Sequence, residues 1–248
     1  TSLTKISIPS SVITIKQNAF TECTSLQQIF IPSSVTSIGE AAFKNCHELR
    51  EILFEEFSSL NTIEMFAFYQ CTSLVDVILP SSLTEIEASI FKNCTSLKNI
   101  LIPDSVTSIG DHCFEGCISL IEISIPFFVI SIGNNSFEKC ISLRRIELPF
   151  SLTSIGINAF KGCSSLIQIE IPDSVTSLNY GVFSECESLN IVSISSKLSS
   201  IGDYAFLKCS SLIQICIPSS VTQIGNYSFE DCKSLKQITI PRSVVQIG

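Results

Sequence analysis

The chain has 248 residues, 45% of them hydrophobic, with 15 Lys and Arg against 23 Asp and Glu, a net charge of −8 and a pI near 4.8. That charge balance excludes sequence-independent binding to nucleic acid or to an anionic membrane surface, and no apolar run reaches the ~18 residues needed to cross a bilayer, so no direct membrane insertion is expected. The composition is even from end to end with no linker, and the chain is read as a single elongated domain, 1–248.

The first predicted element is a strand at residues 3–8, where apolar and polar side chains alternate before Pro9 removes a ladder donor. A segment with apolar residues at spacings of three follows, carrying Ala19, Phe20, Cys23 and Leu26, and reads as a short helix or helical turn. The same grammar then recurs. The run Ile31-Pro32-Ser33-Ser34-Val35-Thr36-Ser37-Ile38-Gly39, with Ala42, Phe43, Cys46 and Leu49 behind it, is a full copy. In later copies the Val-Thr-x-Ile piece, as at residues 106–109, alternates again and admits a second, shorter strand.

The phenylalanines Phe20, Phe43, Phe68, Phe91, Phe114, Phe137, Phe160, Phe183, Phe206 and Phe229 lie 23 residues apart, except that Phe43 and Phe68 are 25 apart. A fixed period of that length marks a solenoid, propeller or array. The two extra residues fall between Phe54 and Leu60, which lengthens a loop and leaves the core columns in step. One unit cannot fold alone. Its large apolar side chains are worth about 1.5–3 kcal/mol each when buried, whereas ordering its backbone costs on the order of 1–2 kcal/mol per residue. Neighbouring units must share the burial. Eleven strand segments give a parallel sheet roughly 50 Å long at about 4.8 Å per strand.

Individual columns carry the rest of the information. The outward strand column begins with Ser7 and then presents Phe30, Leu53, Ile78 and Leu101, a predicted contiguous apolar strip and a candidate protein-binding surface. The column continues through Ser124 to Glu147 and Glu170, which with Arg145 read as a solvated charge cluster, then Ser193, Cys216 and Thr239. Cys216 is a candidate exposed thiol. The loop column after the strands is mostly Ser or Asp, but Phe127, Phe128 and Phe150 interrupt it as candidate interface anchors.

Ten of the twelve cysteines sit three residues after the repeated phenylalanine, and a stack of buried thiols is expected over a disulfide ladder or metal array. Cys113 fills the alanine column and is expected to be buried. Glycine dominates the column from Gly39 to Gly248, but Lys16, Glu64, Glu87 and Asn179 also occupy it. A need for positive φ is therefore not the reason for it, and close packing of the turn is. Asn93, Asn134 and Asn226 match the glycosylation sequon and are candidate sites if the source secretes the protein. His47 and His112 are far apart and in different columns, so no metal site or histidine-based triad is readable, and no cofactor is expected.

The combination Leu-x-x-Ile-x-Ile-Pro-x-x-Val-x-x-Ile-Gly-x-x-Ala-Phe-x-x-Cys resembles the BspA-like class of leucine-rich repeat over essentially the whole chain. The resemblance implies a curved leucine-rich-repeat solenoid of about ten to eleven coils. Its parallel β-sheet would line the concave face, with short helical turns and short second strands on the other side. It also implies a family found on the surfaces of bacteria and parasitic protists, cell-surface or secreted, for which adhesion to host proteins or other cells is the usual proposal. No catalytic residues come with it. The chain begins in mid-unit and stops at Gly248 without a distinctive cap, so a piece of a longer repeat protein is expected, its targeting or anchoring segment lying elsewhere.

Two functions compete on this reading. One is a non-enzymatic protein-binding or adhesion module working through the concave sheet and its loop edge, with a host protein, an extracellular-matrix protein or another cell surface as partner. The other is a structural spacer or surface coat without a specific ligand. An enzyme is disfavoured, because the repeat itself accounts for the candidate nucleophiles and ligands.

Overall fold

The computed structural model describes residues 2–248. Alternation of inward Ile or Val with outward side chains produces eleven short strands on one side of the coil, from Lys5–Ser7 and Gln28–Ile31 to Gln237–Thr239. They run parallel with an offset of one repeat, so Ile6 pairs with Ile29 and Ile29 with Ile52. This side is called the broad sheet. On it, hydrogen-bonded pairing groups the strands in fives, twos and fours. Pairing lapses between Asn99–Leu101 and Glu122–Ser124, and again between Arg145–Glu147 and Gln168–Glu170.

The Val-Thr-x-Ile pieces form two-residue strands, from Thr14–Ile15 to Gln246–Ile247, that pair in groups of three, three and four, with Ser131 facing both Ser108 and Ser154 and no pairing between Ser154–Ile155 and Ser177–Leu178. The fourth coil contributes only the bridge Ile86 to Ile109. The lengthened loop falls in the preceding coil, after the strand Glu51–Phe54.

The turn segment is not a helix, and among the described residues there is none. It is a run of consecutive turns. The residues two before and two after each stacked phenylalanine are left-handed, with φ between 53° and 63° wherever they are not glycine, as at Asn18 and Glu22 around Phe20. Left-handed residues every fourth position prevent a continuous right-handed run. The backbone donors alternate accordingly. Ala19 and Thr21 N–H bond within their own coil, to Lys16 and Asn18, while Phe20 and Glu22 N–H bond to Ala42 and Lys44 of the next. A helix would keep all of these bonds inside the coil. The turn run spends half of them on joining coils.

The glycine column behaves as its tolerance of Lys and Glu predicts. Its φ is not left-handed, and a Cβ at Gly39 would stand 2.6 Å from the backbone nitrogen of Gln17, so the need is close approach of successive coils. Where asparagine replaces glycine, the side-chain amide of Asn179 donates to the Ile155 carbonyl at 2.6 Å.

The core is a set of parallel ladders. All ten phenylalanines stand in single file, with ring centroids 5.1–5.7 Å apart and planes within 18°. This offset stacking adds to the burial of Phe43 through Phe206, which are wholly inaccessible. The cysteines are free, and those of the recurring column are buried except Cys232, which is partly so. Each thiol from Cys46 to Cys232 donates to the phenylalanine carbonyl of the coil before it at 3.1–3.2 Å. Cysteine fits here because it is a small hydrophobe that also carries a donor. Burial pushes the Cys46 and Cys94 thiols up to about 12. Cys113 is fully buried in the alanine column.

Candidate protein-binding surface

The period-2 alternation of the broad strands places every second side chain outward, and the structure brings the four predicted apolar residues onto neighbouring coils. Phe30 pairs with Leu53, and Ile78 with Leu101. They are 44, 39, 67 and 58% exposed, so the strip is open along its length.

The two-residue insertion lies beside this strip. Strands Glu51–Phe54 and Asp76–Ile78 pair at one position only, Glu51 with Asp76, whereas Gln28–Ile31 and Glu51–Phe54 pair at four. Beside these strands is a depression of about 620 Å³, with Leu53, Ile78 and Pro80 among its lining residues. Phe57 stands over it, 94% exposed and with φ of 55°. Glu51, Glu55, Glu56 and Asp76 line it with a single cation, Arg50, which pairs with Glu48 at 3.4 Å. The Glu55 carboxylate accepts the Ser33 backbone N–H at 2.7 Å, and this bond holds it below the usual carboxylate range. Gln28 and Asn99 amides bond to Glu51 and Asp76.

Phe127, Phe128 and Phe150 are 60, 59 and 78% exposed on adjacent coils, and the Phe127 and Phe128 rings meet edge to face with centroids 5.4 Å apart. Phe128 occupies a column in which serine supports the fold in most coils, Lys197 being the other residue there without a hydroxyl. Ser105 Oγ donates to the Leu83 carbonyl one coil back, Ser151 to Val129 and Ser220 to Leu198. Phenylalanine has no such donor, so Val106 loses that bond, worth about 0.5–1.5 kcal/mol. Residue 128 thus forgoes stability and exposes an aromatic ring.

Further along the face, Arg145 Nη2 pairs with Glu147 Oε1 at 2.5 Å, both side chains mostly exposed. Glu147, Glu170 and Phe150 line a smaller depression of about 340 Å³ where the strands separate. Cys216 is exposed as expected and pairs with Thr239. Of the sequon asparagines, Asn93 is half-buried with φ of 60°. Asn134 and Asn226 use their side-chain amides to bond Asp111 and Asp203 of the preceding coil. Among the described residues no group of three His, Cys, Asp or Glu is arranged to hold a metal ion.

Three features lay outside the sequence reading. Phe57 is one, although its place in the only irregular loop was a signal. Tyr180, Tyr204 and Tyr227 form a second aromatic row on the turn side, with centroids 5.1 and 5.2 Å apart, and the shared column of the last two could have revealed it. The third is a charge network in which Lys92 Nζ and His112 Nδ1 lie 2.8 and 2.6 Å from Glu115 Oε2. Lys92 and Glu115 share a column one repeat apart, and His112 stands three residues before Glu115 in the same unit.

A parallel β-solenoid with one-repeat register and an open apolar face is a leucine-rich-repeat protein in architecture. The chain belongs to the BspA type leucine rich repeat family, whose six-copy model matches residues 1–121, 54–163 and 130–248 and so spans the whole sequence. Among solved structures, a leucine-rich repeat protein from Bacteroides ovatus aligns at 27% identity over 96% of this chain and 78% of its own, with a TM-score of 0.57. One from Eubacterium ventriosum aligns at 20% identity over 96% and 79%, with a TM-score of 0.59, a likeness of fold. A leucine rich cell surface protein from Faecalibacterium prausnitzii aligns at 25% identity over 99% and 86%, with a TM-score of 0.49. No match appears among curated protein sequences.

Proposed function

We propose that the chain is a non-enzymatic adhesion module that binds a protein through the outward face of the broad sheet and the adjoining loop edge. The observation that carries this reading is the continuous exposure of Phe30, Leu53, Ile78 and Leu101 on neighbouring coils. A contiguous apolar strip on an outward face is the kind of surface that a partner covers. Phe127, Phe128 and Phe150 extend it at the loop edge, and the hydroxyl bond given up at residue 128 supports a binding role for that edge. Family membership supports a position at the cell surface or outside the cell, with a host protein, a matrix protein or another cell as partner.

The test uses beads coated with the protein and presented to immobilised extracellular-matrix proteins and to whole cells. Substituting F30S, L53T, I78T and L101T together is expected to abolish adhesion and leave the circular dichroism spectrum unchanged. Adhesion that survives in the folded variant sinks this placement of the site.

A further inference from the structure

The broad face is not uniform, and its most distinctive place is the depression beside the insertion. Three independent observations meet there. The repeat length departs from 23 residues at this coil alone, and the strands Glu51–Phe54 and Asp76–Ile78 that flank the lengthened loop pair at one position only. The surface so exposed is apolar at its centre, with Leu53 and Ile78, and the nearly free ring of Phe57 stands at its edge. The third is charge. Glu51, Glu55, Glu56 and Asp76 are all exposed around it, and Arg50 is already engaged by Glu48.

We propose that this depression docks a basic, apolar-anchored protein segment, one that presents large apolar side chains beside lysine or arginine; the inference rests on the broad face being the binding face. The apolar centre supplies the anchor sites and the carboxylates supply the complementary field. An acidic partner would place like charges together on this rim, and a purely polar one would leave Leu53, Ile78 and Phe57 uncovered. The rim is also ordered before binding. The Glu55 carboxylate is fixed on the Ser33 N–H, and Glu51 and Asp76 are held by neighbouring amides. Less freedom is therefore lost when a cation arrives.

The experiment measures fluorescence anisotropy of three capped, labelled eight-residue peptides on the full chain. One alternates lysine with leucine, one glutamate with leucine, and one lysine with serine. The lysine–leucine peptide is expected to bind at least about tenfold more tightly than either control, with affinity falling as salt rises. Neutralising the rim by E51Q, E55Q, E56Q and D76N is expected to remove that preference, and F57S to weaken binding. Neutralising Glu147 and Glu170 instead, as E147Q and E170Q, is expected to leave it intact.

Equal losses from the two sets of neutralising substitutions, or no preference among the peptides, overturn the inference, because the attraction would then be the general field of an acidic protein. If the rim substitutions change nothing while the four strip substitutions abolish adhesion, the face still binds protein and the assignment of a basic partner is wrong. If the strip substitutions leave adhesion untouched, both readings fall together.

Discussion

Cys140 Sγ donates to the carbonyl of Phe114, one coil back, at 3.2 Å, and the same oxygen accepts the backbone N–H of Cys117 at 3.0 Å. Eight other thiols repeat this arrangement. They are bonded and, apart from the partly buried Cys232, buried, and with pKa values pushed up to about 12 at Cys46 and Cys94 and about 11 at Cys232 they are poor nucleophiles. Ellman's reagent at about pH 8 is therefore expected to label one thiol rapidly, that of Cys216, and the rest only on unfolding. C216S should remove the fast phase. Several fast equivalents in the native protein would contradict the buried stack.

The phenylalanine file makes a graded prediction. F137A removes a wholly buried ring stacked on both sides and is expected to cost about 3–5 kcal/mol. F229A removes a ring that is only partly buried and should cost less. Urea unfolding midpoints of the two variants measure the difference.

Two glycines should behave oppositely. A Cβ at Gly156 would stand 2.4 Å from the Asn134 backbone nitrogen, so G156A is expected to destabilise by about 1–3 kcal/mol. Gly162 has φ of 72° but meets nothing closer than 3.5 Å, and its column elsewhere holds Asn93 and Lys139 at positive φ. G162N is expected to stay within about 0.5 kcal/mol of the parent in thermal or urea unfolding.

Residue 128 offers a trade between fold and function. F128S should restore a hydroxyl donor to the Val106 carbonyl and stabilise by roughly 0.5–1 kcal/mol. The same change should weaken adhesion. A variant that is less stable, or that adheres as well as the parent, would remove the argument for Phe128 as an anchor.

The Glu115 network sets a pH dependence. Burial raises this carboxyl's pKa, but Lys92 and then His112 outweigh it and hold the group below the usual carboxylate range. Because the folded-state pKa lies below the unfolded one, the contribution is fully present above the unfolded pKa. It disappears as pH falls through the folded value. K92M is expected to cost about 1 kcal/mol near neutral pH, and the cost is expected to fade as acid protonates Glu115 in the folded protein, read from unfolding at each pH.

The architecture was legible in the sequence because it is periodic. Phenylalanine, cysteine and proline columns dictate which atoms stack, and the register of Ile6 on Ile29 follows from the spacing alone. The outward strip from Phe30 to Leu101 was legible for the same reason. What the pattern could not supply was whatever depends on backbone sign or on two columns meeting. Spacings of three suggest a helix at Ala19-Phe20 and Cys23, and only the left-handed φ of Asn18 and Glu22 shows why it becomes a run of turns. The depression at Phe57 was not read because the pairing of strands beside a lengthened loop is not set by the repeat. Glu115 and Lys92 stand one repeat apart in a single column, but spacing does not say whether two long side chains meet.

The lapses in broad-sheet pairing have a mechanical consequence. At both of them the turn-side bonds persist, Phe114 N–H to Ser136 at 2.7 Å and Phe160 N–H to Val182 at 2.9 Å. The solenoid is therefore bound along its back, coil to coil, at the two places where the broad strands are unpaired. The column of rings runs unbroken behind both gaps and keeps every coil in order.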